Sequence, residues 1–302
     1  MDVNNLFVFK RRPCYNTICL NTDIEKLKDR EWNGMRLVVN IIKDHIAWRH
    51  QIFKLAKADI VKTYSGAALG WSWAIVKPTI TIFVYWFAFS IGLRLGADIN
   101  GIPYILWLIA GIIPWFYMSD MITQGASAIR KYKFLVTKMK FPVATIPTFV
   151  SLSKFAIHLC LMVIVVVIYG VSGFFPDVYM LQLPFYMLCM FLFFTCWGLF
   201  SSMLSAMSKD FLNLVKSFTT AFFWISGIMW DVNRIDHGTL HTVLMFNPIT
   251  YIVSGFRNVF VYKVWFFEEP THLLYFCIVL VVMMLLAFWS YKKLIKEIPD
   301  VL

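Results

Sequence analysis

Apolar residues along this chain gather into long runs separated by short polar clusters. Six of the runs are long: Trp71 to Leu95, Tyr104 to Ala126, Val143 to Val171, Leu181 to Met207, Phe211 to Trp230 and His272 to Tyr291. A helix needs roughly 20 apolar residues to cross the ~30 Å hydrocarbon core of a bilayer. The pattern therefore predicts an all-α integral membrane protein with six transmembrane helices spanning 71–291. Pro78, Pro114, Pro142, Pro147 and Pro184 fall where these helices begin or bend, which is tolerated in lipid when neighbouring groups satisfy the freed carbonyls.

Two further segments depart from this pattern. Over residues 35–70, Leu37, Ile41, Ile42, Ile46, Ile52, Phe53, Leu55 and Ile60 alternate at helical spacing with Arg36, Lys43, Arg49, Lys54 and Lys57. This reads as a basic amphipathic helix lying in the headgroup boundary, with Arg49, Lys54, Lys57 and Lys62 as candidates for binding an anionic headgroup. A helix packed on a soluble partner fits the same pattern. Between the fifth and sixth runs, residues 231–271 are too apolar for a solvated loop, and the stretch FNPITYIVSGFRNVFVYKVWFF from Phe246 is too interrupted to span. Two short re-entrant or interfacial helices are expected there, with Phe246, Asn247, Pro248, Tyr251 and Arg257 as outer gate candidates.

Composition agrees with lipid as the solvent: 60% of the 302 residues are hydrophobic and only 15% charged, and mean hydropathy is +0.69, outside the balance of soluble domains. Charge placement adds an orientation. Of 28 Lys and Arg residues, 22 lie before Gly70, between Arg130 and Lys140, near Lys209 and Lys216, or in the tail from Lys292. Cytoplasmic loops keep such an excess, so both termini are expected in the cytoplasm of a cell whose plasma membrane the protein spans. The net charge of +11 is accounted for by this bordering of apolar runs, and no nucleic-acid partner is expected. The polar arm over 1–34 has no apolar core followed by a small-residue cleavage site, so it does not read as a signal peptide. Its role is unassigned; residues 292–302 are expected to form a short cytoplasmic tail. Cys14 and Cys19 lack partners for a zinc set, and Cys160, Cys189, Cys196 and Cys277 fall in helices, so all six read as reduced and structural.

Candidate chemistry is sparse. No G-x-x-x-x-G-K-[ST] loop is present, so any ATP-driven work requires another chain. Glu268 and Glu269 are adjacent and point to different faces, and no catalytic constellation is visible. His237 and His241 have the i, i+4 spacing of a metal pair but no third ligand, so no metal is expected and solvent-facing histidines are the plainer reading. Lys154 lies about 11 residues into the third run, roughly 16 Å deep, with His158 on the same face. An intramembrane cation marks a functional site by default. Two readings stay open for it: contact with an anionic substrate, or a bridge to Asp120 near the inner end of the second run. Aromatic residues are abundant; those at helix ends suit an interfacial belt, while a lumen-facing subset could stack on sugar faces. Trp73, Tyr85, Trp86 and Trp115, with Lys154, are the translocation path candidates. The small-residue spacing in GAALG, Gly66 to Gly70, suits either a close helix contact or a turn.

Four stretches, read in order, resemble a known family. They are LAKADIVKTYSGAALGWSWAIVKP (Leu55 to Pro78), YILWLIAGIIPWF (Tyr104 to Phe116), KYKFLVTKMKFPVATIPT (Lys131 to Thr148) and FNPITYIVSGFRNVF (Phe246 to Phe260). Together they are similar to the permease subunits of ABC-2 type polysaccharide exporters. VNRI after FWISGIMWD, the NGIPYILWLIAG hairpin and VYKVWFFEE are most similar to the wall teichoic acid subgroup of Gram-positive bacteria. The resemblance implies a homodimer of six-helix subunits bound to two copies of a separate ATPase, which holds ATP and magnesium. The implied substrate is an undecaprenyl-diphosphate-linked polymer moving outward, with O-antigen or capsular polysaccharide as the alternative cargo. It further implies that the basic loop, with Arg130, Lys131, Lys133, Phe134, Lys138 and Lys140, docks on the ATPase, and that 231–271 forms the outer gate. A non-transport envelope scaffold is the reading from a different class. The long polar arm departs from the family pattern.

Overall fold

The structure is a computed structural model that describes residues 34–94, 96–139, 141–232 and 238–302. Apart from Gly34, the N-terminal arm lies outside the described residues. By its contacts the chain divides into a unit ending at Asn40 and a second unit from Ile41 to Leu302; the contacts described below belong to the second. Among the described residues the structure is helical, with one isolated bridge between Ile99 and Ile102 closing the hairpin before the second span.

The amphipathic segment forms two helices, α1 (Gly34–Ala47) and α2 (Arg49–Tyr64). They part at Trp48, whose backbone leaves helical geometry (φ −101°, ψ 11°) and whose ring meets Phe141 edge-on at 5.1 Å. The first long helix begins with a 3-10 turn at Gly70–Ser72, continues as α3 (Trp73–Trp86) and closes in a π-turn, Phe87–Gly92. The second is a composite: α4 (Tyr104–Asp120), a π-turn at Met121–Gly125, α5 (Ala126–Lys131) and α6 (Lys133–Thr137). The apolar pattern ends this element at Ala126, yet the helix continues through the basic residues to Thr137. The tertiary packing of Ile129, Leu135 and Val136, all buried, carries it onward.

Next come α7 (Thr145–Val171), then α8 (Leu183–Met207) entered through a 3-10 turn at Val178–Gln182, and α9 (Lys209–Ile225). Two short helices follow, α10 (Thr239–Met245) and α11 (Pro248–Arg257), the latter prolonged by a π-turn to Tyr262. The chain ends with α12 (Pro270–Leu294) and α13 (Ile298–Val301). Among the described residues, five helical stretches are long and apolar enough to cross a membrane: Gly70–Gly92, Tyr104–Thr137, Thr145–Val171, Val178–Met207 and Pro270–Leu294. The chain is thus a multi-pass membrane protein. The remaining apolar run forms α9, which has 17 residues. At 1.5 Å per residue that is about 26 Å, somewhat under the ~30 Å core. It stops because Ser226 and Gly227 turn the chain, Gly227 at φ +67° where a side chain would be strained.

α4 is buried on every side, from Leu106 through Ile113, so it is the helix on which the others assemble. α11 and α7 pack on it, α8 packs against α5, α7 and α12, and α2 lies along α7. By contrast α3 and the π-turn after it expose Ile80, Phe83, Val84 and Phe87, and α12 exposes Val281, Leu285 and Trp289, apolar faces suited to lipid or another apolar surface.

Candidate functional site

At the basic end of the bundle, α2 turns Ile52, Leu55, Ala56 and Asp59 toward α7. Asp59 is 1% exposed. Its Oδ1 accepts hydrogen bonds from Lys131 Nζ at 2.7 Å and from the Tyr132 hydroxyl, and its Oδ2 accepts one from the Ser153 hydroxyl. The carboxylate therefore joins three elements: α2, the α5–α6 break at Tyr132, and α7. Burial by itself raises the Asp59 carboxyl, but the bonds from Lys131, Ser153 and Tyr132 outweigh it and hold the group below its ordinary value. The ammonium groups of Lys131 and Lys62 lie 5.2 and 5.8 Å from the Tyr132 ring centre.

The expected basic surfaces divide accordingly. Arg130 is committed within the chain, its Nε donating to the Ser205 carbonyl and its Nη2 to that of Ala206 at 3.0 Å. These are end-of-helix carbonyls of α8 that lack helical partners. Lys131 is half tied to Asp59, Lys133 and Lys138 are exposed, Phe134 is half-buried, and Lys140 lies outside the described residues. Arg49, Lys54, Lys57 and Lys62 are all exposed on α2. This helix packs through one face on its own chain's α7, a possibility beyond the two its sequence pattern suggested, while Phe53 and Val61 face outward.

One residue beyond Ser153, Lys154 is 3% exposed with its Nζ 4.0 Å from Asp120 Oδ2, and Asp120 also accepts from Gln124 Nε2 at 3.0 Å. Of the two readings left open for Lys154, the structure forms the Asp120 bridge, at long range. His158 lies one turn on, among the rings of Tyr117, Phe155 and Phe256 at 5.8 to 6.0 Å. Tyr85 and Trp115, two of the path candidates, converge on Phe223 of α9 at 5.3 and 5.5 Å. Trp86 instead pairs with Phe83 on its own helix, and Trp73 is exposed.

At the far end of α4 from the basic residues, Arg257 is 2% exposed. Its Nη1 donates to the Gly227 carbonyl and its Nη2 to that of Ile228, each at 2.6 Å. The guanidinium stacks 3.5 Å above the Trp107 ring, a favourable desolvated cation–π geometry. It lies so close to Gly111 that a Cβ there would collide with it. Trp107 Nε1 donates to the Tyr262 hydroxyl at 2.9 Å, which donates to Asp231 at 2.6 Å. Arg257 thus clamps the turn after α9 onto α4. The other gate candidates form a neighbouring support. The Asn247 side chain caps α11 at Ile249 N (3.0 Å), beside Pro248 at the helix start, and donates to Ser226 Oγ at 2.8 Å. Phe246 stacks on Tyr275 at 4.2 Å and Tyr251 on Phe276 at 4.7 Å. The following segment is also pinned: Lys263 pairs with Asp177 at 2.7 Å, and Phe266 stacks on Phe185 at 4.3 Å. That packing explains how so apolar a stretch exists without spanning.

No group of three His, Cys, Asp or Glu among the described residues is placed to hold a metal. His241 is buried with its ring 5.9 Å from His272, and His237 lies outside the described residues. The sequence reading missed Asp59, Tyr132, Ser153, Trp107 and Gly111. For Asp59 a signal was present: it falls seven residues after Ile52 and four after Leu55, on the buried face of the helix.

Comparison with known proteins places this architecture. The O-antigen export system permease protein RfbA of Myxococcus xanthus is 24% identical over 232 residues, covering 74% of this chain and 85% of that protein. An O-antigen export system permease protein RfbA of Klebsiella pneumoniae is 22% identical over 246 residues, covering 81% and 93%. The inner membrane transport permease YadH of Escherichia coli K12 is 26% identical over 198 residues, covering 62% and 75%. The family model described as ABC-2 type transporter matches residues 50–261, from the start of α2 to the π-turn behind the Arg257 clamp, so the chain belongs to the ABC-2 type transporter family.

Proposed function

We propose that this chain is the membrane subunit of an ABC exporter that moves a lipid-diphosphate-linked cell-surface glycan across the plasma membrane. The observation that carries the reading is the basic end of the bundle. There an exposed cationic helix, α2, is bonded through Asp59 to the basic α5–α6 segment. Such a helix attracts anionic headgroups at the cytoplasmic leaflet. The segment beyond it, with Lys133, Phe134 and Lys138, is the surface on which an ATPase would dock. ATP and magnesium belong to that partner, since this chain has no phosphate-binding loop. Both termini lie on the cytoplasmic side in this reading. α9 is the sixth crossing in this reading, its 17 residues spanning most of the hydrocarbon core and ending under the gate formed by α10 and α11.

Two copies of the chain, each with an ATPase, form the working unit. Six helices are few to enclose a polymer-wide path, and two-fold symmetry builds one from a self-complementary face. The exposed apolar residues of α3 and of α9, Leu214, Phe218 and Trp224 among them, supply candidate area for it. Tyr85, Trp115 and Phe223 would lie along the path.

The finer assignment is an anionic wall teichoic acid, supported by the similarity of VYKVWFFEE and its neighbouring motifs to that subgroup. A second reading, O-antigen or a related polysaccharide, is favoured by the names of the relatives. ATPase activity of the reconstituted complex separates them. Stimulation by undecaprenyl-diphosphate-linked poly(glycerol phosphate), and none by a neutral lipid-linked O-antigen glycan, supports teichoic acid; the reverse result moves the assignment to O-antigen.

A further inference from the structure

Asp59 is the one acidic side chain on the buried face of a helix whose exposed charges are basic. An apolar residue would fill that position against α7 without the desolvation that a buried carboxylate incurs. What the carboxylate adds is direction, because its bonds fix three different places: Lys131 at the end of α5, Tyr132 at the α5–α6 break, and Ser153 on α7. The break itself is a defined joint, since Tyr132 departs from helical geometry (φ −112°, ψ 29°). Beyond it lie the exposed Lys133 and Lys138, and on the other side of Asp59 lie the exposed Arg49, Lys54, Lys57 and Lys62. Ser153 adjoins Lys154, which faces Asp120 inside the span.

We propose that Asp59 is a positioning residue that links the headgroup-collecting helix to the ATPase-facing segment, so that substrate at α2 is reported to the ATPase and movement of α6 is returned to α2. This rests on the exporter reading and adds to it the connection through which the two ends communicate. A shift of α6 acts on Lys131 and Tyr132, and through the shared carboxylate on α2 and Ser153. Removing the carboxylate leaves the two surfaces in place but energetically independent, which is a loss of coupling and not of either binding event.

The test uses the complex of the full chain with its ATPase in proteoliposomes, with undecaprenyl-diphosphate-linked poly(glycerol phosphate) and the neutral lipid-linked glycan as probes. Assembly, basal ATP hydrolysis and substrate-stimulated hydrolysis are measured separately. Asp59→Asn is expected to assemble and hydrolyse ATP at the basal rate while its stimulation falls about tenfold, a shift within the ordinary range of coupling between sites. Asp59→Glu, which keeps the carboxylate, recovers part of the stimulation. Ser153→Ala removes one bond at little structural cost and lowers the stimulated-to-basal ratio in the same direction, which carries the test if Asp59→Asn fails to assemble. Wild-type stimulation in Asp59→Asn or in Ser153→Ala overturns the proposal. A wild-type complex stimulated by neither probe would instead refute the exporter reading itself.

Discussion

Replacing Arg257 with Met should loosen the turn between α9 and α10 and destabilise the chain by about 3 kcal/mol. The guanidinium donates to two backbone carbonyls, Gly227 and Ile228, at 2.6 Å each. Without it, both are left buried without a donor, at ~1–3 kcal/mol apiece. The cation–π contact with Trp107, at 3.5 Å from the ring centre, is worth about 2 kcal/mol when desolvated. Against these losses stands relief from burying a cation, several kcal/mol in itself, which brings the net to ~3 kcal/mol. Arg257→Lys keeps the charge but not the planar fork, so it satisfies one carbonyl at best and falls between wild type and Met. Thermal unfolding of the purified protein in detergent, followed by tryptophan fluorescence, reads the order wild type, Lys, Met directly. A Met variant that melts with the wild type would refute the clamp, and so would a Lys variant less stable than Met.

Gly111→Ala presses a methyl group into the same guanidinium, at ~1–3 kcal/mol as an overpacking change; in a double-mutant cycle its effect shrinks in the Arg257→Met background, and strict additivity of the two melts would contradict the contact. Lys154→Met removes the cation facing Asp120 and lowers polymer export in cells, whereas full export would dismiss a role for that cation in transport. The Asp59 carboxyl is held below its ordinary value, so its contribution is complete at neutral pH and is lost only as pH falls through that lowered value. The stimulated-to-basal ATPase advantage of wild type over Asp59→Asn therefore stays constant from about pH 7 to about pH 5, and an advantage that fades across that window would count against the ion pair.

Much of the fold was legible because lipid imposes a simple rule on long helices. Thr145–Val171 and Pro270–Leu294 occupy the apolar runs found over 143–171 and 272–291, since nothing but uniform apolarity is needed to specify them. The rule weakens where packing takes over. The helix begun at Tyr104 runs on to Thr137 through basic residues because Ile129 and Leu135 are buried by neighbours distant in sequence. α9 stops at Ile225 where Ser226 and Gly227 turn the chain, and the turn is held by Arg257 through the carbonyls of Gly227 and Ile228, a contact no local pattern announces. The charged centres divide in the same way. The Lys154 to Asp120 bridge was readable because two charges in facing apolar runs have few other partners, and Asp59 was readable in principle from its phase on α2. Tyr132 and Ser153, by contrast, are ordinary residues made special only by converging on that carboxylate. Arg257 stood only among the outer gate candidates, and its partners are backbone carbonyls, which sequence does not mark.

The measurement that tests the account most directly is transport itself. The chain and the ATPase that copurifies with it are reconstituted in liposomes carrying undecaprenyl-diphosphate-linked poly(glycerol phosphate) in one set and lipid-linked O-antigen glycan in another. Arrival of polymer on the face opposite the ATPase, detected by a membrane-impermeant degrading enzyme, is followed with and without ATP. The account predicts ATP-dependent arrival of one of the two glycans, lost when the ATPase is omitted. A chain that binds no ATPase, or a complex that hydrolyses ATP while both glycans stay on their original face, would contradict it.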